Sequence, residues 1–405
     1  MLSEANGTAE AARRLIIGLG KAGHDVHVFA PSNGVEGKPG VIFHKTGGFR
    51  MSREPEFYFS IPFTRYFTCT LAKYYRELDL VHSITPLTVG ALGLDVAKMN
   101  GLPKIITHHS PLEYYAGDYF PVIGKIFTIY AWKYERFFYN RFHSIHVPTL
   151  SKKQLILNKQ LKEPIFALTN GILDNYFNKV SDAKGAVQDK YKIDPDKKII
   201  LYAGRQGPEK NIEAIIRALR SVRKQGVNAH LILAGGGPHI PALKLYVKEL
   251  GLEDHVTQTG WVKHIWLRTI YDAADVSTLY NDIEAQGLVL LEAMAQGTPC
   301  VGKDANGIKD VIVHGKTGYL VKNEKDFVKN LVKILSDDDL REKLGEQALD
   351  EVTVSHKMSN IVKIWEKMYK FHIDTIYPKR FYGASEEEIT KDLRWFCNKH
   401  KALHM

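Results

Sequence analysis

The chain has 405 residues, 55 Lys and Arg against 45 Asp and Glu, and a formal charge of +10; 44% of it is hydrophobic and 25% charged. That length exceeds one ordinary core, so two domains are expected, and the balance excludes a disordered or fibrous chain. Three scattered cysteines (Cys69, Cys300, Cys397) make no C-x-x-C pair, which excludes a disulfide scaffold and a structural zinc site and fits a reducing compartment. No signal peptide or 18-residue apolar run is evident, so a chain that does not span a membrane is expected.

The charge is front-loaded. Residues 1–180 carry 21 Lys and Arg against 14 Asp and Glu; the remainder carries 34 against 31. A basic front half favours anionic lipid surfaces, phosphorylated acceptors or nucleic acid. No nucleic-acid-reading motif accompanies it, so nucleic acid is not an expected partner.

In chain order, Asn6-Gly7-Thr8 reads as the glycine turn of a doubly wound domain, and Ala9–Lys21 as the helix after it, stopped at Gly23. Such a domain normally opens with a strand, so strand one is expected to be missing, with a start assigned too late favoured over a real gap in the sheet. Strand-like runs follow at His24–Ala30, Val41–His44, Leu80–Ile84, Lys104–His108, Ser144–Pro148 and Ile165–Thr169, with a helix at Leu87–Met99. Strands alternating with helices predict a parallel sheet covered on both faces. Tyr119–Phe142 contains ten aromatics interleaved with Lys125, Lys133, Arg136 and Arg141. That mixture suits a membrane interface or a core helix, the core being slightly favoured.

Val180–Lys198 is polar and reads as a linker. A second series then supplies strands at Ile199–Ala203, His230–Ala234, Val256–Thr259, Asp275–Tyr280, Pro299–Gly302 and Gly318–Val321. Its helices are expected at Pro208–Arg223, Ile240–Leu250, Trp266–Ala273, Gly287–Gln296 and Phe327–Leu335. Two Rossmann-like domains are therefore predicted over 1–178 and 199–370, facing a cleft, with a linker at 179–198. A tail at 371–405 is expected to pack back across it.

Four places carry chemistry. Gly204 and Gly207 turn the chain tightly after the first strand of the second series, leaving Arg205 and Lys210 beside a helix that begins at Pro208. Two cations at the carboxyl end of a strand suit a diphosphate; Lys210 alone would pass for a surface charge. The run A-G-G-G-P, containing Gly235, is a second strand-to-glycine turn and is weak by itself. In E-A-Q-G-L-V-L-L-E, the apolar residues after Gly287 predict a buried helix, so Glu292 needs a ligand or a fixed partner. Gln286, Gly287 and Leu288 are expected to start that helix and offer backbone N–H groups to phosphate. If the helix spans both acids, Glu284 and Glu292 lie roughly 12 Å apart along its axis, which suits two ends of one ligand better than one bond. Finally, Thr107-His108-His109-Ser110 ends a strand at the same edge, where either histidine could serve; His24 and His82 read as structural or as supports behind the residues that touch a ligand. No cluster of acids makes a convincing metal site.

Together G-R-Q-G-P-E-K-N, G-G-G-P, T-G-W-V, E-A-Q-G-L-V-L-L-E-A-M-A-Q-G-T-P and N-G-I-K-D-V-I-V-H-G-K-T-G-Y-L-V resemble glycosyltransferase family 4, retaining enzymes of the GT-B architecture. The resemblance implies an acceptor-binding first domain and a nucleotide-sugar-binding second one. Arg205 and Lys210 would hold the donor diphosphate, Glu284 the transferred sugar and Glu292 the ribose. Gly204, Gly235 and the backbone of Gln286–Leu288 would approach phosphate, Trp261 and Val262 would flank the base, Gly7 would approach donor or acceptor, and His109 would sit beside the anomeric centre. A UDP-, GDP- or ADP-sugar donor is implied, with no cofactor or metal. The E-A-Q-G variant is similar to the branch that glucosylates diacylglycerol, so a lipid or carbohydrate acceptor is expected, at a cytoplasmic location on an anionic membrane surface. A nucleotide-sugar epimerase, a nicotinamide oxidoreductase and an inactive nucleotide-sugar-binding relative are the alternatives; the absence of G-x-G-x-x-G disfavours the oxidoreductase.

Overall fold

The computed structural model describes residues 7–31, 35–50, 58–60, 77–86, 88–109 and 124–381. The chain divides into two compact units: one built from residues up to Gly171 and from Met358 onward, the other from Ile172–Lys357.

In the first unit, helix α1 (Gly7–Lys21) is followed by strands β1 (Val26–Ala30), β2 (Val41–Lys45), β3 (Gly48–Arg50), β4 (Tyr58–Ser60) and β5 (Val81–Ser83). Helix α2 (Thr88–Met99), β6 (Lys104–Thr107), helix α3 (Gly124–Tyr139), β7 (Ser144–Val147), helix α4 (Leu150–Leu157) and β8 (Ile165–Ala167) come next. The parallel strands form two pieces among the described residues, β1-β2 and β5-β6-β7-β8, and β3 and β4 pair antiparallel. No strand precedes α1 among the described residues, and residues before Gly7 lie outside them, so the expected missing strand cannot be placed against this sheet.

The core of this unit lies where α3 covers the four-stranded piece. Phe138, Tyr139 and Phe142 pack there with Ile106, Ile145, Val147, Ile156 and Ile165. The aromatic run is thus core on one side only, because Tyr130, Tyr134 and Phe137 of the same helix are exposed. Tyr119, Phe120 and Ser110 lie outside the described residues.

The second unit begins with a correction. The polar stretch read as a linker over 179–198 contains helix α5 (Ala183–Tyr191), whose Val187 is fully buried. Its capping residues Asp182 and Lys192 are both in the left-handed region, which composition does not reveal. Then follow β9 (Lys198–Ala203), α6 (Ile212–Lys224), β10 (Ala229–Ala234), α7 (Ile240–Glu249), β11 (Val256–Gly260) and α8 (His264–Ala273). The unit ends with β12 (Val276–Leu279), α9 (Leu288–Met294), β13 (Cys300–Lys303), β14 (Gly318–Val321), α10 (Glu324–Ser336) and α11 (Asp338–Ser355). Its sheet is one continuous parallel layer in the order β11-β10-β9-β12-β13-β14. Strands β9 and β10 are almost wholly buried, as expected where helices cover both faces.

Helix α12 (Met358–Phe381) belongs with the first unit, so the boundary expected at 370 falls at Lys357, and the earlier one at Gly171 rather than 178. Close packing fixes it there: a Cβ on Gly18 of α1 would sit 2.7 Å from Val362 Cγ2, and one on Gly171 would sit 2.8 Å from Met358 Cε. Residues 382–405 of the expected tail lie outside the described residues.

Candidate active site

In an open parallel sheet, ligands bind at the carboxyl ends of the strands where the strand order reverses. In the second unit that point lies between β9 and β12. The loop after β9 carries Arg205 and Lys210, and the loop after β12 carries Glu284. Lys210 Nζ donates to Glu284 Oε2 at 2.8 Å, with each side chain about one-fifth exposed (21% and 20%). Asn281 Nδ2 lies 3.4 Å from the same oxygen. Burial pushes the Glu284 carboxyl up, but the Lys210 ammonium and these hydrogen bonds outweigh it and hold the pKa below the usual value. Arg205 Nη1 donates to Glu209 Oε1 at 2.8 Å on its own loop.

Two local expectations change. Pro208–Lys210 is a 3-10 turn, and α6 starts only at Ile212, after Asn211 in the left-handed region at φ 50°. Proline fits the first position of either helix, so the sequence could not tell them apart. Likewise α9 starts at Leu288, capped by Gly287 at φ 79°, and Glu284 and Gln286 lie in the loop before it. The axial spacing between Glu284 and Glu292 therefore has no helix to run along. The burial expectation holds: Leu290, Leu291, Ala293 and Met294 are fully enclosed, and Glu292 is 4% exposed. Its fixed partner is Tyr271 of α8, whose hydroxyl donates to Glu292 Oε2 at 2.6 Å.

The glycines are placed by close approach. Gly204 N donates to Ala234 O (2.9 Å), Gln206 N to Gly236 O (2.7 Å) and Gly235 N to Gly260 O (3.0 Å), stitching together the loops after β9, β10 and β11. A Cβ on Gly235, itself at φ 131°, would fall 2.0 Å from Gly204 O. One on Gly236 would fall 2.1 Å from Nε1 of Trp261. The Trp261 ring thus lies against the glycine loop while staying 56% exposed, and Val262 beside it is half-buried. Gln206, wholly buried, sends Nε2 to Gly235 O at 2.7 Å. Sequence reasoning passed over both Gln206 and Tyr271. Gln206 sits inside G-R-Q-G and could have been noticed; Tyr271, on a distant helix, could not.

His109 and Gly7 belong to the first unit. The tandem histidines divide: His108 Nδ1 lies 2.8 Å from the Tyr139 hydroxyl in the core, whereas His109 lines a small cavity with Ala12, Leu15, His146, Asn170 and Trp365. Burial, then His146 and Lys152, lowers the His109 pKa to about 3, so its imidazole is neutral at pH 7. Beneath it a chain of bonds crosses the sheet. Tyr369 Oη to His82 Nδ1 is 2.8 Å, His82 Nε2 to Thr107 Oγ1 is 2.7 Å, Thr107 Oγ1 to His146 Nδ1 is 2.9 Å, and His146 Nε2 to Leu168 O is 2.7 Å. Both ring nitrogens of His82 are engaged in these bonds, and His24 pairs with Glu366 at 2.9 Å. On α1, Glu10 is held to a pKa of about 2, because Arg14 and Arg13 outweigh its burial. Gly7 opens α1 with no described atom within 4 Å of a built Cβ. Among the described residues no group of three or more His, Cys, Asp or Glu could hold a metal ion, and no helix is long and apolar enough to cross a membrane.

Two family profiles match, "Glycosyltransferase Family 4" over residues 5–174 and "Glycosyl transferases group 1" over residues 184–351. The chain is 26% identical over 328 residues to alpha-monoglucosyldiacylglycerol synthase of Streptococcus pneumoniae, covering 80% of this chain and 71% of that protein. It is 25% identical over 346 residues to the synthase of the same name from Acholeplasma laidlawii, covering 82% and 85%. N-acetyl-alpha-D-glucosaminyl L-malate synthase of Bacillus anthracis is 33% identical over 181 residues, 44% of this chain and 47% of that one. In fold, Anabaena HepE in complex with UDP-glucose superposes with a TM-score of 0.72 at 15% identity, covering 91% and 97%. Sucrose-phosphate synthase from Thermosynechococcus elongatus gives 0.71 at 22% identity, covering 91% and 94%. With both units matched in turn, the chain belongs to glycosyltransferase family 4 and is a glycosyltransferase of the GT-B fold.

Proposed function

We propose that this glycosyltransferase moves a hexose from a UDP-, GDP- or ADP-sugar to a hydroxyl of a lipid such as diacylglycerol, with retention of configuration, on the cytoplasmic side of an anionic membrane surface. The observation that carries the reading is the Lys210–Glu284 pair at the switch point of the second unit's sheet. A lysine and an acid held together there can separate onto the two halves of one donor, Lys210 onto the diphosphate and Glu284 onto the sugar hydroxyls. The lipid acceptor is supported by the names of the relatives that match most of the chain, the two alpha-monoglucosyldiacylglycerol synthases.

In the reaction the bond from C1 to the β-phosphate oxygen breaks, and its electron pair stays on that oxygen. The acceptor oxygen bonds to C1 from the same face, and its proton passes to the departing phosphate. Negative charge grows on the diphosphate, where Arg205 and Lys210 oppose it. Positive charge grows at the anomeric centre, where a neutral His109 adds none of its own. Glu292, held in place by the Tyr271 hydroxyl at 2.6 Å, takes the ribose hydroxyls on this reading. Gly204, Gly235 and the backbone at Gln286–Leu288 face phosphate, and Trp261 with Val262 flanks the base. Gly7, whose Cβ direction meets no described residue, lets donor or acceptor approach on this reading. No metal is required on this reading.

The test is transfer from each of the three nucleotide-glucose donors to diacylglycerol in mixed micelles, followed by mass spectrometry and by the anomeric coupling of the product. A glucosyl lipid with the donor's anomeric configuration is expected, unchanged in rate by a chelator. Free epimerised sugar without acceptor, or no glycolipid from any donor, overturns the assignment; an inverted product removes retention.

A further inference from the structure

Helix α3 presents an outward stripe that ordinary solvated helices lack. Tyr130, Lys133, Tyr134 and Phe137 recur at the spacing of one helical face, and Arg141 follows in the turn just after the helix. Tyr130 is 57% exposed and Phe137 60%. Lys133 Nζ lies 5.3 Å above the Tyr130 ring, and the Arg141 guanidinium lies 3.2 Å from the Phe137 centroid.

Beside this stripe is an open cavity of about 570 Å³, lined by Lys133, Arg136, Phe137, Asn140, Arg141, Gln160 and Lys162. Four of the seven are cations and none is a carboxylate. The wall is organised as well as charged: Arg136 Nη1 donates to Gln160 Oε1 at 2.5 Å, Arg141 Nη1 donates to the Phe137 carbonyl, and Lys162 N donates to Asn140 Oδ1 at 2.9 Å. A helix C-terminus favours a cation or two. It does not account for four around one hollow, nor for aromatic rings left in water at its rim.

We propose that this cavity binds the phosphate of an anionic phospholipid, with the α3 stripe lying in the headgroup layer. Arginine and lysine take the phosphodiester oxygens, and Tyr130, Tyr134 and Phe137 occupy the interfacial depth that aromatic rings favour. The lipid, rather than a soluble phosphate, is the occupant because the cations share their face with exposed aromatic area, for which a free anion has no use. The inference deepens the membrane-surface part of the proposed function and rests on it. It is distinct from donor binding, since no residue of the second unit lines the cavity.

The experiment is sedimentation of the full chain with phosphatidylcholine vesicles carrying increasing phosphatidylglycerol, at near-physiological salt. Partitioning should rise with the anionic fraction. Joint Arg136→Ala and Arg141→Ala substitution should lower it about 30-fold, from the usual contribution of a basic residue near such a surface. Lys133→Gln with Lys162→Gln, which leaves both guanidinium contacts in place, should lower it similarly with an unchanged thermal midpoint. Equal partitioning onto pure phosphatidylcholine, wild-type partitioning of both double variants, or equally tight binding of soluble glycerol phosphate would each overturn the proposal. Nucleotide-sugar hydrolysis in the same samples keeps the two readings apart: its absence counts against the transferase chemistry and leaves the vesicle result standing.

Discussion

The two units put polar groups at the ends of parallel strands by opposite means. In the second, backbone does the placing: three glycine loops are stitched by main-chain hydrogen bonds, and the charged side chains stand on that frame. In the first, side chains do it: the Tyr369–His82–Thr107–His146 bonds run across the sheet beneath His109. A backbone frame tolerates almost any side chain except at its glycines, and so leaves a compact sequence motif. A side-chain frame needs particular residues far apart in sequence and leaves none. The difference also sets how each unit should respond to substitution and to acid.

The largest effect expected is at the charged pair. Lys210→Ala should lower turnover by about two orders of magnitude or more, measured at saturating donor, because it removes the cation proposed to oppose the diphosphate charge and takes the ammonium away from Glu284. Near wild-type turnover would mean the second unit's frame does not carry the chemistry. Next comes acid. His108, His109 and His372 of the first unit are buried and His82 is half-buried, all with pKa values lowered by desolvation, His109 to about 3 and His372 to about 4. They are neutral when folded but protonate near 6.5 when unfolded, so the stability they confer is complete above that pH and falls as pH drops from 6.5 toward their folded values. Each adds to the loss over that window, at a limiting rate on the order of 1 kcal/mol per pH unit. The second unit holds His230, lowered to about 4, as its one strongly shifted histidine among the described residues. Melting followed separately in each unit should show the first failing earlier between pH 6.5 and 5; a joint, pH-independent midpoint would erase the contrast.

Tyr271→Phe should be milder. Losing one hydrogen bond to a carboxylate is worth about 1.5–3 kcal/mol, so donor affinity by calorimetry should fall roughly tenfold or more with little change in turnover. The reverse pattern would detach Tyr271 from the ribose role. Smallest of all, Gly7→Ala should shift the thermal midpoint hardly at all, since nothing described lies within 4 Å. Gly235→Ala should destabilise the fold strongly, against the carbonyl of Gly204. Lost activity with an intact fold for Gly7→Ala would place a substrate at α1.

What the sequence made legible follows the same division. Every expected strand of the second unit is present within a residue or two, and its motifs fall at the carboxyl ends of β9, β10 and β12, because periodicity and glycine are local signals. The errors there were also local: a 3-10 turn reads like the first turn of a helix at Pro208, and Gly287 caps α9 rather than lying within it. The Tyr271–Glu292 bond, the histidine chain and the return of α12 to the first unit (Val362 against Gly18) depend on contacts across 21 to 344 positions. No pattern within one window encodes them. Helix α5 is hidden in the expected linker for a simpler reason, that a polar helix with one buried edge resembles a loop in composition.

The route of the chain has a practical meaning. Ile172 N donates to His356 O at 2.7 Å, and Ile172 bridges Lys357, so the chain passes into and out of the second unit through adjacent residues. Topologically, residues 172–357 are a cassette inserted into a host, with both seams at one doorway. Exchanging the span for its counterpart from a relative would need only two junctions, one at each seam. The inserted span and its host could then be inherited, and engineered, as separate parts.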